Sequence, residues 1–282
     1  MAKVTSRVDE WPIVIIRPSK GLVAPRLREA WEYRELLYFL AWRDIKVRYK
    51  QTVLGAAWAI IQPFFMMIIF SIVFGRLAKI PSDGLPYPLF AYCALLPWQL
   101  FARALTESSN SLVGSQNLIT KVYFPRLVIP VASILGGLAD FVVAFVILLG
   151  MMAYYNIIPT AALMTLPLFL LLDLTAALGM GLWLSALNVQ YRDIRYVIPF
   201  LTQFGLFITP VVYPASLVPE EWRAWLGLNP IASVVEGFRW ALLGTGRIEV
   251  SMVTISVLTA IVLLVSGMYY FGRMERSFAD VI

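Results

Sequence analysis

A dense basic cluster, DIKVRYKQ, runs at residues 44–51 directly into a stretch that carries no charge as far as Phe74. Residues 53–74 are 22 in succession without Asp, Glu, Lys or Arg. As a helix rising ~1.5 Å per residue they extend ~33 Å, enough to cross a hydrocarbon core of ~30 Å. Backbone inside a bilayer must satisfy its own hydrogen bonds, so a run of this kind is restricted to a helix or a closed barrel, and its length selects the helix. The chain is therefore expected to be a membrane protein.

Further uncharged or nearly uncharged stretches follow at intervals. The pattern predicts an all-α membrane protein with six transmembrane helices at about 53–74, 85–107, 127–156, 160–187, 196–213 and 250–271. Six crossings place both chain ends on one side. The first 28 residues are read as a cytoplasmic tail, and 29–282 as a single transmembrane domain. The WPIVII run at 11–16 fits either a short strand or a loosely held tail. No cleavable leader is expected, because the first long apolar run begins only at Val53.

Orientation follows from the basic residues. Of 23 Lys and Arg, 11 lie in the first 50 residues, and Lys121, Arg126, Arg192, Arg195, Arg273 and Arg276 join them on the same side, 17 in all. The opposite side receives Arg76, Lys79, Arg223, Arg239 and Arg247, with Arg103 in or near the second span. That bias places both termini in the cytoplasm. It also accounts for the net charge of +6 as topology and attraction to lipid headgroups, so nucleic acid is not expected as a partner.

The chain has no His and a lone Cys93 inside an apolar run. No zinc constellation, His-based relay or intrachain disulfide is available, and no metal site is expected. No GxxxxGK[ST] cradle for nucleotide phosphates is present, nor a nucleophile with a base beside it, so the chain is not read as an enzyme and no cofactor is expected on it.

Three stretches outside the spans carry candidate function. At 29–50, Glu29, Glu32 and Glu35 open a helical pattern that Arg43, Lys46, Arg48 and Lys50 close, complementing the helix dipole. Interleaved Leu, Phe and Trp predict an amphipathic interface helix at the headgroup level, either as a membrane anchor or as a docking element. The loop at 108–126 predicts a brief cytoplasmic helix ended by Phe124-Pro125; connection and force transmission both fit. Residues 214–247 are too apolar for an exposed loop and too broken to span, so short re-entrant helices are expected. The best piece, 231–243, follows Asn229 as cap and Pro230 at the first helical position.

Asp140 and Asp173 fall about a dozen residues into their spans, where a lone carboxylate costs several kcal/mol. A proton-coupled transporter uses such groups, but hydrogen bonding to neighbouring Ser, Thr or Trp is the favoured expectation. Arg103 and Glu107, four apart, are expected to neutralise one another, and Glu236 and Arg239, three apart, can pair.

The segments RDIKVRYKQTVLGAAW, NLITKVYFPRLVIP, ALNVQYRDIRYVIPFLTQ, TPVVYP and LNPIASVVEGFRW, in this order, resemble the membrane subunit of the bacterial ABC exporters that carry O-antigen, capsule and teichoic-acid polysaccharides. The resemblance covers about 31–243. It implies a homodimer bound to two copies of a nucleotide-binding ATPase, with ATP and Mg on that partner. It further implies export of a lipid-linked polysaccharide from the inner membrane. An ABC exporter of drugs or lipids and an ion-coupled secondary transporter are the alternatives. By the same resemblance Arg43, Asp44, Lys46, Arg48 and Tyr49 belong to the interface helix. A coupling helix at 117–124, with Asn117, Leu118, Ile119, Lys121, Tyr123 and Phe124, meets the ATPase, and Asn229, Pro230, Glu236 and Arg239 form an outer gate. A hydroxyl-rich cargo needs a wide, wettable path. Trp58, Phe64, Phe65, Trp98, Phe101 and Trp183 are candidate sugar-stacking aromatics, against interfacial or core roles for each.

Overall fold

The computed structural model describes residues 31–50, 55–245, 248–275 and 278. The expectations for the first 28 residues, for Arg247 and for Arg276 lie outside them. Helix α1 spans Arg34–Lys50 and α2 spans Gly55–Phe70, which passes into a π-helical turn at Ser71–Leu77. Helix α3 covers Tyr87–Gly114, α4 Gln116–Lys121, α5 Val128–Tyr154, α6 Leu166–Gln190 and α7 Ile194–Ile208. Two short helices, α8 at Glu220–Leu226 and α9 at Pro230–Leu243, precede α10 at Val250–Met274. No strand occurs among the described residues.

Among the described residues five helical stretches are long and apolar enough to cross a membrane: Ala57–Leu77, Tyr87–Gly114, Val128–Tyr154, Ala161–Gln190 and Val250–Met274. The expected fifth crossing at 196–213 differs. Its helix, α7, has 15 residues, ~22 Å long, short of a full ~30 Å core. The chain continues beyond it as non-helical backbone at Thr209–Val212, all buried. Irregular backbone at membrane depth is tolerated only where protein covers it, and α9 supplies that cover. An apolar pattern records the burial but not the helix end, which is why the sequence overran it.

Helix α3 is the central element. Leu89–Leu96 are all buried, because α5, α6, α7, α9 and α2 surround it. Between apolar helices in lipid the hydrophobic effect drives little association, and close van der Waals contact does the work. Gly179 of α6 and Gly267 of α10 show this. A methyl on Gly179 would come within 2.6 Å of the Leu264 backbone nitrogen, and one on Gly267 within 2.4 Å of the Gly179 carbonyl oxygen, so only glycine lets these backbones touch.

One end of the bundle gathers α1, α4, the start of α5 and the end of α10. Leu40, Leu112, Ile119, Phe124, Val128 and Phe271 share a buried cluster there, and the Arg126 backbone N–H donates to Glu275 Oε1 at 3.1 Å. The other end carries the 78–86 turn, α8, α9 and the start of α10. Helix α1 and the end of α10 therefore lie at the same end of the bundle, with Leu40, Phe271 and Phe278 in one buried cluster.

Candidate functional site

The central helix, α3, carries Gln99, Arg103 and Glu107 at four-residue spacing, which stacks them on one face. That face opens into a cleft of about 510 Å³ walled by α2, α3, α5 and α7. Helix α2 contributes Trp58 and Gln62, α5 contributes Gly137 and Asp140, and α7 contributes Thr202 and Gln203.

At one end of the cleft lies a network of charges. Arg48, near the end of α1, donates through Nη1 to Asp140 Oδ2 at 2.6 Å and through Nη2 to Glu107 Oε1 at 2.6 Å. Arg103 donates to the same Asp140 oxygen, and the Tyr49 hydroxyl donates to Asp140 Oδ1. The Asp140 side chain is only 8% exposed. Three donors on one buried carboxylate compensate its desolvation, the condition for a charge at this depth. Burial, and then the hydrogen bond to Asp140, push the Tyr49 phenol up to about 12, so it keeps its proton and remains a donor at physiological pH.

Two expectations are corrected here. Asp140 is held by guanidinium groups rather than by Ser, Thr or Trp, and Arg103 and Glu107 do not pair with each other: Arg103 bonds Asp140 and Glu107 bonds Arg48. The rule for neighbours on one helix was outbid by a partner 59 residues away that no local spacing reveals. Asp173 differs again: it is fully buried, and neither carboxyl oxygen has a hydrogen-bond partner among the described residues, so the expected Ser, Thr or Trp bond is absent.

The network also ties α1 to α5: the end of α1 reaches Asp140, 13 residues into α5. Helix α1 crosses α5 at Gly136, where a methyl would meet the Asp44 Cβ at 3.7 Å and the Ala41 carbonyl oxygen at 4.0 Å, ordinary contact distances. Helix α1 thus inclines along α5 into the bundle, with Leu40 and Ala41 buried and Arg43, Lys46 and Val47 exposed. Arg43 donates to Asp44 Oδ1 at 2.8 Å, a surface pair of little energetic weight.

The predicted coupling helix at 117–124 is shorter than expected, Gln116–Lys121. Val122 turns extended and Tyr123 and Phe124 lie beyond it, because the following Pro125 excludes helical backbone before it. Asn117, Lys121 and Tyr123 are exposed, Leu118 is half-buried, and Ile119 and Phe124 are buried in the cluster that includes Leu40. This surface therefore presents Asn117, Lys121 and Tyr123, while Ile119 and Phe124 face inward as its anchors.

At the opposite end, Asn229 caps α9 by accepting from the Ile231 N–H at 3.2 Å, and its amide donates to Thr209 Oγ1 at 2.8 Å. Arg239, 2% exposed, donates to the carbonyls of Pro210 and Val211 at 2.7 Å each and to Glu236 Oε1 at 2.9 Å. Its guanidinium also lies 3.6 Å from the centre of the Phe90 ring. Glu236 Oε1 accepts in turn from the Ala215 N–H at 3.1 Å. Asn229, Pro230, Glu236 and Arg239 thus close one assembly, and the expected ion pair is present. It is an interior clamp: Arg239 satisfies the bare carbonyls that follow the early end of α7, rather than neutralising charge at a lipid boundary.

The six candidate aromatics separate. Trp58 and Trp98 line the cleft. Phe64 and Phe65 are exposed on the outside of α2, and Phe101 is buried against Trp98, ring centres 5.8 Å apart. Trp183 stacks on Tyr270 at 4.3 Å and donates to Ser266 Oγ, so it joins α6 to α10 away from the cleft. Sequence reasoning missed Gln62, Gln99 and Gln203. The signal was an amide inside an otherwise apolar run, and for Gln99 its register with Arg103 and Glu107. Among the described residues no group of three or more His, Cys, Asp or Glu is arranged to hold a metal ion.

Comparison with known proteins gives concordant matches. Residues 35–243 match the family of ABC-2 type transporters. The chain is 28% identical over 259 residues to an O-antigen export system permease protein of Myxococcus xanthus, covering 91% of this chain and 98% of that protein. It is 26% identical over 249 residues to an O-antigen export system permease protein of Klebsiella pneumoniae, covering 88% and 95%. A polysialic acid transport protein of Escherichia coli is 24% identical over 238 residues, covering 83% and 91%.

Proposed function

We propose, for a chain that belongs to the ABC-2 type transporter family, that it is the permease of an exporter for a lipid-linked cell-surface polysaccharide. The observation that carries the reading is similarity over nine tenths of the chain to permeases named for O-antigen export. A permease of this family is a multi-pass inner-membrane protein that works with an ATP-hydrolysing partner and is not catalytic itself. Two copies of the chain, with two ATPase subunits holding ATP and Mg, would form the working unit. The exposed apolar faces of α2, with Phe64, Phe65 and Ile69, and of α7, with Phe200, Phe204 and Phe207, offer surface for the second copy beside the cleft.

Both termini lie in the cytoplasm on the basic-residue bias, so α1 and α4 face the ATPase. Its closure would press on Asn117, Lys121 and Tyr123. Through the Arg48–Asp140 and Arg48–Glu107 bonds, a shift of α1 would move α5 and α3, two walls of the cleft. At the outer end the Arg239–Glu236 clamp would hold the gate in its closed arrangement.

The test is deletion of the gene with measurement of surface polysaccharide and of lipid-linked polymer inside the cell. Loss from the surface with internal accumulation, reproduced by an ATPase-dead partner, is expected. Unchanged surface polysaccharide ends the cargo assignment, and uphill transport by the chain alone on an ion gradient ends the ATP-driven one.

A further inference from the structure

Gln62 of α2, Gln99 of α3 and Gln203 of α7 come from three different membrane-level helices and line the same cleft. Gln62 and Gln203 are exposed and Gln99 is half-buried. None of the three side-chain amides has a hydrogen-bond partner among the described residues. A primary amide offers two N–H donors and a carbonyl acceptor. Hydrocarbon offers none in return, and leaving such a group unpaired in lipid is costly. Three unpaired amides gathered on one concave surface are therefore stable only if that surface is wet. The remaining polar lining agrees, since Thr106 and Thr202 spend their hydroxyl protons on backbone carbonyls and keep lone pairs for an incoming donor.

We infer that Gln62, Gln99 and Gln203 form a hydrated carboxamide belt that hydrogen-bonds the hydroxyl groups of a glycan moving through the cleft. The inference rests on the polysaccharide reading above. The chemistry fits a moving polymer: an amide matches a hydroxyl as donor or as acceptor, so it tolerates either orientation of each sugar. Being uncharged, it holds no sugar as tightly as a carboxylate or guanidinium would. Trp58 and Trp98 on the same lining add flat apolar faces for the rings. The charged groups at the end of the cleft bond one another through Arg48, Arg103, Glu107 and Asp140, and the amides add neutral hydrogen-bonding groups beside them.

The experiment uses the whole transporter with its ATPase in membrane vesicles, in a Cys93→Ala background. Gln62→Cys, Gln99→Cys and Gln203→Cys are treated with a charged, membrane-impermeant thiol reagent, beside Val142→Cys and Val262→Cys on the exposed outer faces of α5 and α10. Labelling at the three glutamine positions at least tenfold faster than at the two valines is expected. Equal, slow labelling overturns the belt, including the case in which a second copy seals the cleft and pairs the amides. The second measurement is export by the triple Gln→Leu variant with ATPase binding unchanged. A fall of roughly tenfold or more is expected where hydroxyls lose their partners, and wild-type export overturns the contact with cargo. Intact surface glycan after gene deletion would sink the polysaccharide reading and leave the labelling pattern standing, so the two failures are distinct.

Discussion

Asp140→Asn tests the charge network most directly. In the native chain Arg48 and Arg103 are balanced by Glu107 and Asp140, so two positive and two negative charges sum to zero. The asparagine retains one acceptor oxygen but removes a charge, leaving a net +1 half-buried among apolar helices. Removing one partner of a buried pair costs ~3–5 kcal/mol. The arginine side chains keep 21% and 32% of their exposure to the cleft, so screening places the cost near the lower bound, about 3 kcal/mol. For a large domain a loss of 1 kcal/mol lowers the melting midpoint by ~2–4 °C, which gives a fall of roughly 6 °C for a chain of 282 residues. The assay is thermal unfolding of the purified permease in detergent, run as a double-mutant cycle with Arg48→Met. Because the two residues touch, the double variant should be less damaged than the sum of the singles. Asp140→Asn melting within 1 °C of the native chain, with additive effects in the cycle, would refute the claim that this carboxylate anchors α1 to the bundle.

Other outcomes follow from the same structure. Arg239→Lys should destabilise by ~2–4 kcal/mol, because a lysine ammonium cannot reach the carbonyls of Pro210 and Val211 and Glu236 with a planar fork; unfolding midpoints check it, and Glu236→Gln, which keeps an acceptor for Ala215, should be the milder change. Gly179→Val should prevent close packing of α6 on α10, since its first methyl already meets backbone at 2.6 Å; monodisperse, native-like elution of that variant would count against the packing argument. Lys121→Glu and Tyr123→Ala alter exposed groups and should separate ATP turnover from export while the complex still assembles, measured as ATP hydrolysed per polymer exported. Phe124→Ala, by contrast, removes a buried ring and should cost ~3–5 kcal/mol of stability, so lower yield accompanies any loss of export.

Much of this protein was legible in its sequence for simple reasons. Uncharged length fixes crossings, as 53–74 shows, because lipid accepts no unpaired backbone. Asn229-Pro230 fixes the start of α9, since cap and fixed φ act within three residues. The order of five short segments pointed to the family. Site residues were legible in proportion to how locally they act: the Glu236–Arg239 pair spans one helical turn, whereas Asp140 draws Arg48 from 92 residues away.

What the sequence determined alone is the all-helical membrane architecture, the family and the absence of a nucleotide cradle motif, because each depends on short-range chemistry or on local motifs in order. What only the tertiary structure decided is which polar groups share a space. Whether Trp183 faces a path or a neighbouring helix, whether Phe124 is offered or buried, and whether three glutamines meet depend on the rotation of each helix about its own axis. Packing against other helices sets that rotation, and in a run apolar on every side no periodicity records it.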